Sequence, residues 1–196
     1  MSAYDPKHFA AVPLCGARLD LEPLRLDHAA ETAPALADPA LHAFIGGAPL
    51  GGTELRARYA RLLAGPPDPA TTMWCNWVLR LRETGEAIGT VQATVVAGGA
   101  ELAWVLGTPW QGRGLAREAA VVLADWLRER GAPALVAHVH PEHRASEGVA
   151  AAAGLAPTQV VEDGERRWEW HAPTSRREGA VQTLRPHHEN GISGYE

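Results

Sequence analysis

Residues Gln111-Gly112-Arg113-Gly114-Leu115-Ala116 stand between a strand-like run and an amphipathic helix, and no other feature restricts the fold so tightly. Upstream, Glu101-Leu102-Ala103-Trp104-Val105-Leu106 reads as a strand. Downstream, Leu115, Ala119, Val122, Leu123, Trp126 and Leu127 share one helical face. Two glycines in the connecting turn allow positive φ and a close backbone approach, so successive N–H groups can converge on an anion. The helix start adds amides without intrahelical partners and its positive dipole end, while Arg113 and Arg117 add cationic side chains. The turn therefore predicts phosphate binding, with an ordinary tight turn as the equal alternative on spacing alone. A dinucleotide fold needs three glycines in a parallel βαβ unit, and a nucleotide P-loop needs Gly-Lys-Ser/Thr; neither is present.

The rest of the chain supplies the frame for this turn. Leu19 to Leu26 alternates as a half-buried strand, with Pro23 suited to a sheet edge. Asp27 is placed to cap a helix running to Leu36, and Thr53 to cap a second one with Leu55, Tyr59, Leu62 and Leu63 on its apolar face. Trp74–Leu81, Ala87–Val96 and Glu101–Leu106 form a three-strand meander. Gly131 is a plausible end for the helix after the turn. Ala134–Val139 is apolar throughout, as in a buried central strand; a helix over Ala145–Ala153 follows, then the hairpin of Thr158–Val161 and Arg166–Trp170. This order predicts one α+β domain over residues 1–172, with a mixed central sheet of about seven strands flanked by helices. Residues 173–196 lose all apolar pattern and read as a polar tail.

Composition narrows the function classes. A hydrophobic fraction of 46% with 21% charged residues is that of a globular domain. The apolar runs are too short to span a bilayer, and the first residues do not look like a secretory signal, so a cytoplasmic protein is expected. Two cysteines, Cys15 and Cys75, make no disulfide framework. A net charge of −5 gives no general attraction to nucleic acid and fits a small amine-bearing partner better. His138, His140 and His143 invite a metal test, but no cysteine or acid nearby in sequence completes a zinc set, so no metal is expected.

Thr108 to Ala119, with the preceding strand, resembles the acetyl-CoA signature of GNAT acetyltransferases, and is most similar to the Rim-type branch (RimJ and RimL). Two further segments fit: Arg18 to Asp38-Pro39, similar to the first strand and helix of that branch, and Pro141-Glu142-His143-Arg144-Ala145-Ser146 ending in Ala153-Gly154-Leu155. The resemblance spans about residues 17–172. It implies a donor wedged between two splayed middle strands. Trp104, Val105 and Leu106 would bind the pantetheine arm, and Gln111, Gly112, Arg113, Gly114, Leu115 and Ala116 the pyrophosphate, with Arg117 as an added contact in place of the usual threonine or serine. His143 stands where the family usually has asparagine, and Leu155 where it has phenylalanine.

Transfer to an amine needs a base for the amine proton, a donor for the oxyanion and an acid for the departing thiolate. Glu101, at the start of the donor strand, is the candidate base, with a solvated strand-end carboxylate as the plainer alternative. Ser146 matches the family's thiolate acid and serves equally well as a helix cap. His143 can shuttle protons or be an exposed loop residue. Trp74 and Trp104 are the tryptophans to expect in an acceptor pocket with Glu101. The expected reaction is acetyl transfer from acetyl-CoA to a primary amine of a small molecule, antibiotic or protein N-terminus. Aminoacyl-tRNA or another acyl donor, with contacts from Arg56, Arg58, Arg61, Arg80 and Arg82, and a non-catalytic module that binds CoA or a metabolite are the alternatives; a homodimer is common in the family.

Overall fold

The structure, a computed structural model of the chain, describes residues 4–173, so all but the first residue of the polar 173–196 segment lies outside the described residues. Eight strands form one sheet: β1 (Leu14–Cys15), β2 (Leu19–Pro23), β3 (Thr72–Leu81), β4 (Ala87–Val96), β5 (Gly99–Leu106), β6 (Ala134–Val139), β7 (Ala156–Glu162) and β8 (Glu165–His171). Their order is β1-β2-β3-β4-β5-β6-β8-β7, and every neighbouring pair is antiparallel except β5 and β6. The helices are α1 (His28–Thr32), α2 (His42–Ile45), α3 (Gly52–Ala64), α4 (Leu115–Glu129) and α5 (Arg144–Ala152).

The extra strand is β1, whose two residues are too few to show a period. It pairs outside β2 through Leu14↔Leu21 and Cys15↔Asp20, so β2 is not an edge strand over those residues. Pro23 lies beyond that pairing, where its missing N–H breaks no bond to β1. Asp27 does not cap α1: its backbone is already helical and its carboxylate turns to Arg25, 3.1 Å away. The helix itself ends at Thr32, and only turns continue to Leu36. Gly51, not Thr53, occupies the cap position of α3.

Alternation divides the sheet cleanly. Leu102 and Leu106 of β5 and Leu135, Ala137 and Val139 of β6 join Leu115, Ala119, Leu123 and Leu127 of α4 and Val149 and Ala150 of α5 in the larger core. Val78 and Val105, from the opposite face, join Leu24, Ala29, Leu55 and Tyr59 beneath α1 and α3. Helix α4 ends as its sequence suggests, with Gly131 N–H bonded to Arg128 O and Ala132 N–H to Leu127 O, the paired bonds of a Schellman motif.

Pairing between β5 and β6 is confined to Ala100↔Leu135 and Glu101↔Val136. Beyond Glu101 the strands part, and each enters the gap with one unpaired edge.

Candidate active site

A cavity of about 460 Å³ fills that gap and runs through the sheet from one face to the other. On the α4 side it is lined by Trp104, Leu106, Gln111, Gly112, Gly114, Leu115, Ala116, Arg117, Ser146 and Val149. On the α1–α3 side it meets Gln92 and Thr94 of β4, Glu101 and Ala103 of β5, and His138 and His140 beyond. Register explains this polar row: Gln92 lies opposite Ala103 and Thr94 opposite Glu101, so their side chains share a face.

The turn has the conformation that its glycines predict. Gly112 and Gly114 have φ of 70° and 76°, and Gly114 caps α4 in the left-handed region. The first helical bond runs from Glu118 N to Gly114 O, leaving the amides of Leu115, Ala116 and Arg117 without carbonyls inside the helix. Two side chains brace the turn. Gln111 Nε2 donates to Leu106 O at 2.9 Å, tying the turn to the end of β5. Arg18 donates from Nη1 to Arg113 O at 2.9 Å and from Nε to Glu118 at 2.8 Å, while its own backbone N–H reaches the other Glu118 oxygen at 2.6 Å. Burial opposes the charge of Glu118, but the bonds from Arg18 prevail and hold its carboxyl below the usual range. Arg113 itself does not line the cavity; its carbonyl, held by Arg18, is its contribution to the turn. Arg117 does line it, with its guanidinium lying against Gly148 of α5.

Ser146 is not the cap of α5. That position belongs to His143, whose Nδ1 accepts from Ser146 N–H at 3.3 Å. Burial, with help from nearby His140, keeps the His143 imidazole below its ordinary pKa. The His143 ring lies 4.3 Å from that of Phe44 in α2. Ser146 Oγ is left to accept from Trp104 Nε1 across the gap, at 3.3 Å, long for such a bond. Trp74 lies on β3 opposite Thr94 and is not among the cavity residues.

Sequence reasoning passed over one contact. His138 Nδ1 lies 3.1 Å from Glu101 Oε1, and His138 Nε2 lies 3.3 Å from Glu162 Oε2. The acids that appeared missing around His138 come from β5 and β7, remote in sequence and adjacent in the sheet. Among the described residues no group of three or more histidine, cysteine or acidic residues could hold a metal ion. No helix there is long and apolar enough to cross a membrane. Arg80 is engaged by Glu22 and Glu31, Arg82 by Asp20, and Arg56 donates to Leu26 O.

Residues 18–156 match the family model described as an acetyltransferase (GNAT) domain. No curated protein matches the sequence significantly. Among solved structures, an acetyltransferase from Agrobacterium tumefaciens is 25% identical, with a TM-score of 0.63 over 84% of this chain and 97% of its own. RimL, a ribosomal L7/L12 α-N-protein acetyltransferase solved with coenzyme A, shares the fold at 13% identity and TM-score 0.67, over 82% and 98% of the two chains. An aminoglycoside acetyltransferase solved with coenzyme A does so at 16% identity and TM-score 0.64, over 78% and 94%.

Proposed function

The chain belongs to the GNAT acetyltransferase family and is an acyltransferase, and from that premise we propose that it moves an acetyl group from acetyl-CoA to a primary amine. The observation that carries this reading is the gap beyond Glu101, which opens on one side to the anion-binding turn and on the other to a carboxylate. Acetyl-CoA fits such a gap. Alternate N–H and C=O groups of residues 102–106 that β6 does not pair suit the amides of a pantetheine arm. The amides after Gly112 suit a pyrophosphate.

The thioester supplies the acyl carbon; everything else is asked of the chain. Glu101 takes the proton that the amine loses as its nitrogen bonds to that carbon. A β5 amide facing the gap donates to the carbonyl oxygen as it gains charge. The carbon–sulfur bond breaks, and Ser146 Oγ, beside the Trp104 indole, gives the thiolate its proton. A neutral His143 with Nδ1 committed to Ser146 N–H serves the site by fixing the start of α5. The Rim-type likeness in the turn and in the Pro141–Ser146 segment supports an amine acceptor of the kinds those enzymes use, and a cytoplasmic setting fits such substrates. Among the turn residues, the side chain of Arg117 would face the phosphates.

Calorimetric titration with acetyl-CoA tests the donor site. Micromolar binding is expected, lost in a Gly112→Glu, Gly114→Glu double variant that puts two carboxylates where the phosphates would lie. Thiol release on adding a panel of amines then tests transfer. Wild-type protein that binds no acetyl-CoA would refute the reading.

A further inference from the structure

Glu101 does not stand alone at the apex of the gap. Its last ladder partner is Val136, and His138, two residues further along β6 on the same face, has already begun to separate from β5. The Glu101–His138 bond of 3.1 Å therefore spans the opening at the point where backbone pairing stops. Behind it, Glu162 at the end of β7 approaches the second ring nitrogen, so one imidazole sits between two carboxylates. The His138 side chain is only 8% exposed, whereas that of Glu162 is 32% exposed and in reach of water.

We propose that His138 is a positioning residue for the transfer, a clasp that fixes Glu101 at the apex of the gap and whose charge, which Glu162 helps to hold, sets the charge that Glu101 presents to the acceptor. The role rests on the acetyl-transfer reading above. Every element around the ring bears on its charge. Glu101 faces it from β5, Glu162 from β7, and Arg167 of β8, its register partner, opposes protonation while being paired itself with Glu169. Glu165 and His140 line the same cavity. Burial alone would drive the proton off, but the hydrogen bond to Glu101 and the charges of Glu101 and Glu162 outweigh it, and the pKa rises above the ordinary imidazole value.

Below that raised pKa, the imidazolium offsets part of the negative charge beside the acceptor. Above it, one proton leaves His138 for water past Glu162, and Glu101 meets the amine with its charge uncompensated. The rate of transfer then rises as His138 deprotonates, and the amine's proton passes to Glu101 while sulfur leaves.

The experiment pairs imidazole NMR titration of His138 with kcat/KM against pH in the wild type, Glu162→Gln and His138→Gln, the last also assigning the resonance. In the wild type, His138 should titrate above the usual value of about 6.5, together with the acid limb of the rate profile. Glu162→Gln should move both to lower pH. His138→Gln should erase that limb and lower kcat about tenfold to a hundredfold, the scale of a misplaced catalytic group, with the Kd for acetyl-CoA retained. A His138 resonance unmoved by Glu162→Gln, or one that moves while the rate profile stays in place, overturns the proposal and leaves acetyl transfer standing. Should the wild type acetylate no amine, the function proposed above falls and this role falls with it.

Discussion

Substituting Gly99 by alanine probes the seam between β5 and β6 directly. Gly99 begins β5 at φ 141°, and a Cβ there would lie 2.2 Å from Ala134 O and 2.9 Å from Ala134 C, both backbone atoms of the opposite strand's start. Ordinary contact begins at 3.4 Å, so the side chain is 1.2 Å too close to the oxygen and the strands must move apart where only two residue pairs join them. The unfavourable φ costs about 1–3 kcal/mol. Overpacking against backbone that cannot rotate away adds about 1–3 kcal/mol. The sum, about 2–6 kcal/mol, is a large share of a typical domain's 5–15 kcal/mol. Gly85→Ala is the control: its φ of 73° is also left-handed, but a Cβ there meets nothing within 4 Å, so only the conformational cost of about 1–2 kcal/mol remains. Urea unfolding followed by tryptophan fluorescence and circular dichroism should give Gly99→Ala the larger loss by at least about 1 kcal/mol, the lower end of the overpacking cost. Equal losses for the two variants would refute the argument that close backbone approach keeps glycine at the seam.

Other outcomes follow from the same geometry. Arg18→Ala removes the bond to Arg113 O and half of a partly exposed pair, so it should cost about 1 kcal/mol in unfolding yet weaken acetyl-CoA binding severalfold, with Arg18→Lys intermediate. Trp104→Phe keeps the ring's apolar contacts but deletes the donor to Ser146; calorimetry should show near-normal donor binding and kinetics a several-fold lower kcat. His138 and His28 should act on stability with opposite signs. The raised pKa of His138 gives a contribution fully present below the unfolded value near pH 6.5 and lost as pH climbs through the folded one. His28, pushed down by burial and by Arg25, gives one present above about pH 6.5 and lost as pH falls through its folded pKa. Denaturation midpoints against pH, each compared with the His→Gln variant, should show the two slopes. A thiol reagent should modify the exposed Cys15 in the native protein and spare Cys75, whose pKa burial pushes up to about 12; reaction of both without denaturant would contradict that burial.

Much of this architecture is readable from residue order because the periods are strong. The boundaries Ala87–Val96 and Ala134–Val139 are those that alternation and an unbroken apolar run predict, and the glycines of the turn adopt the positive φ for which they were singled out. What escaped has specific causes. Two residues of β1 carry no periodic signal. Asp27 has a capping residue's chemistry, but Arg25 competes for its carboxylate. Thr53 instead falls inside the first turn of α3, which starts from Gly51 with Glu54 folded back over it. The Glu101–His138–Glu162 contact depends on which strands are neighbours, a property of topology that local spacing does not encode. His143 shows the reverse case, where a histidine picked out for chemistry is engaged as the cap of α5.

The two-pair seam also has a thermal consequence. Strands β2–β5 are stitched to one another by long ladders, while their cohesion with β6–β8 comes mainly from side chains buried together under α4 and α5. Apolar burial loses strength on cooling. Chilling is therefore expected to loosen the junction between the two halves, and with it the gap, before it loosens either half.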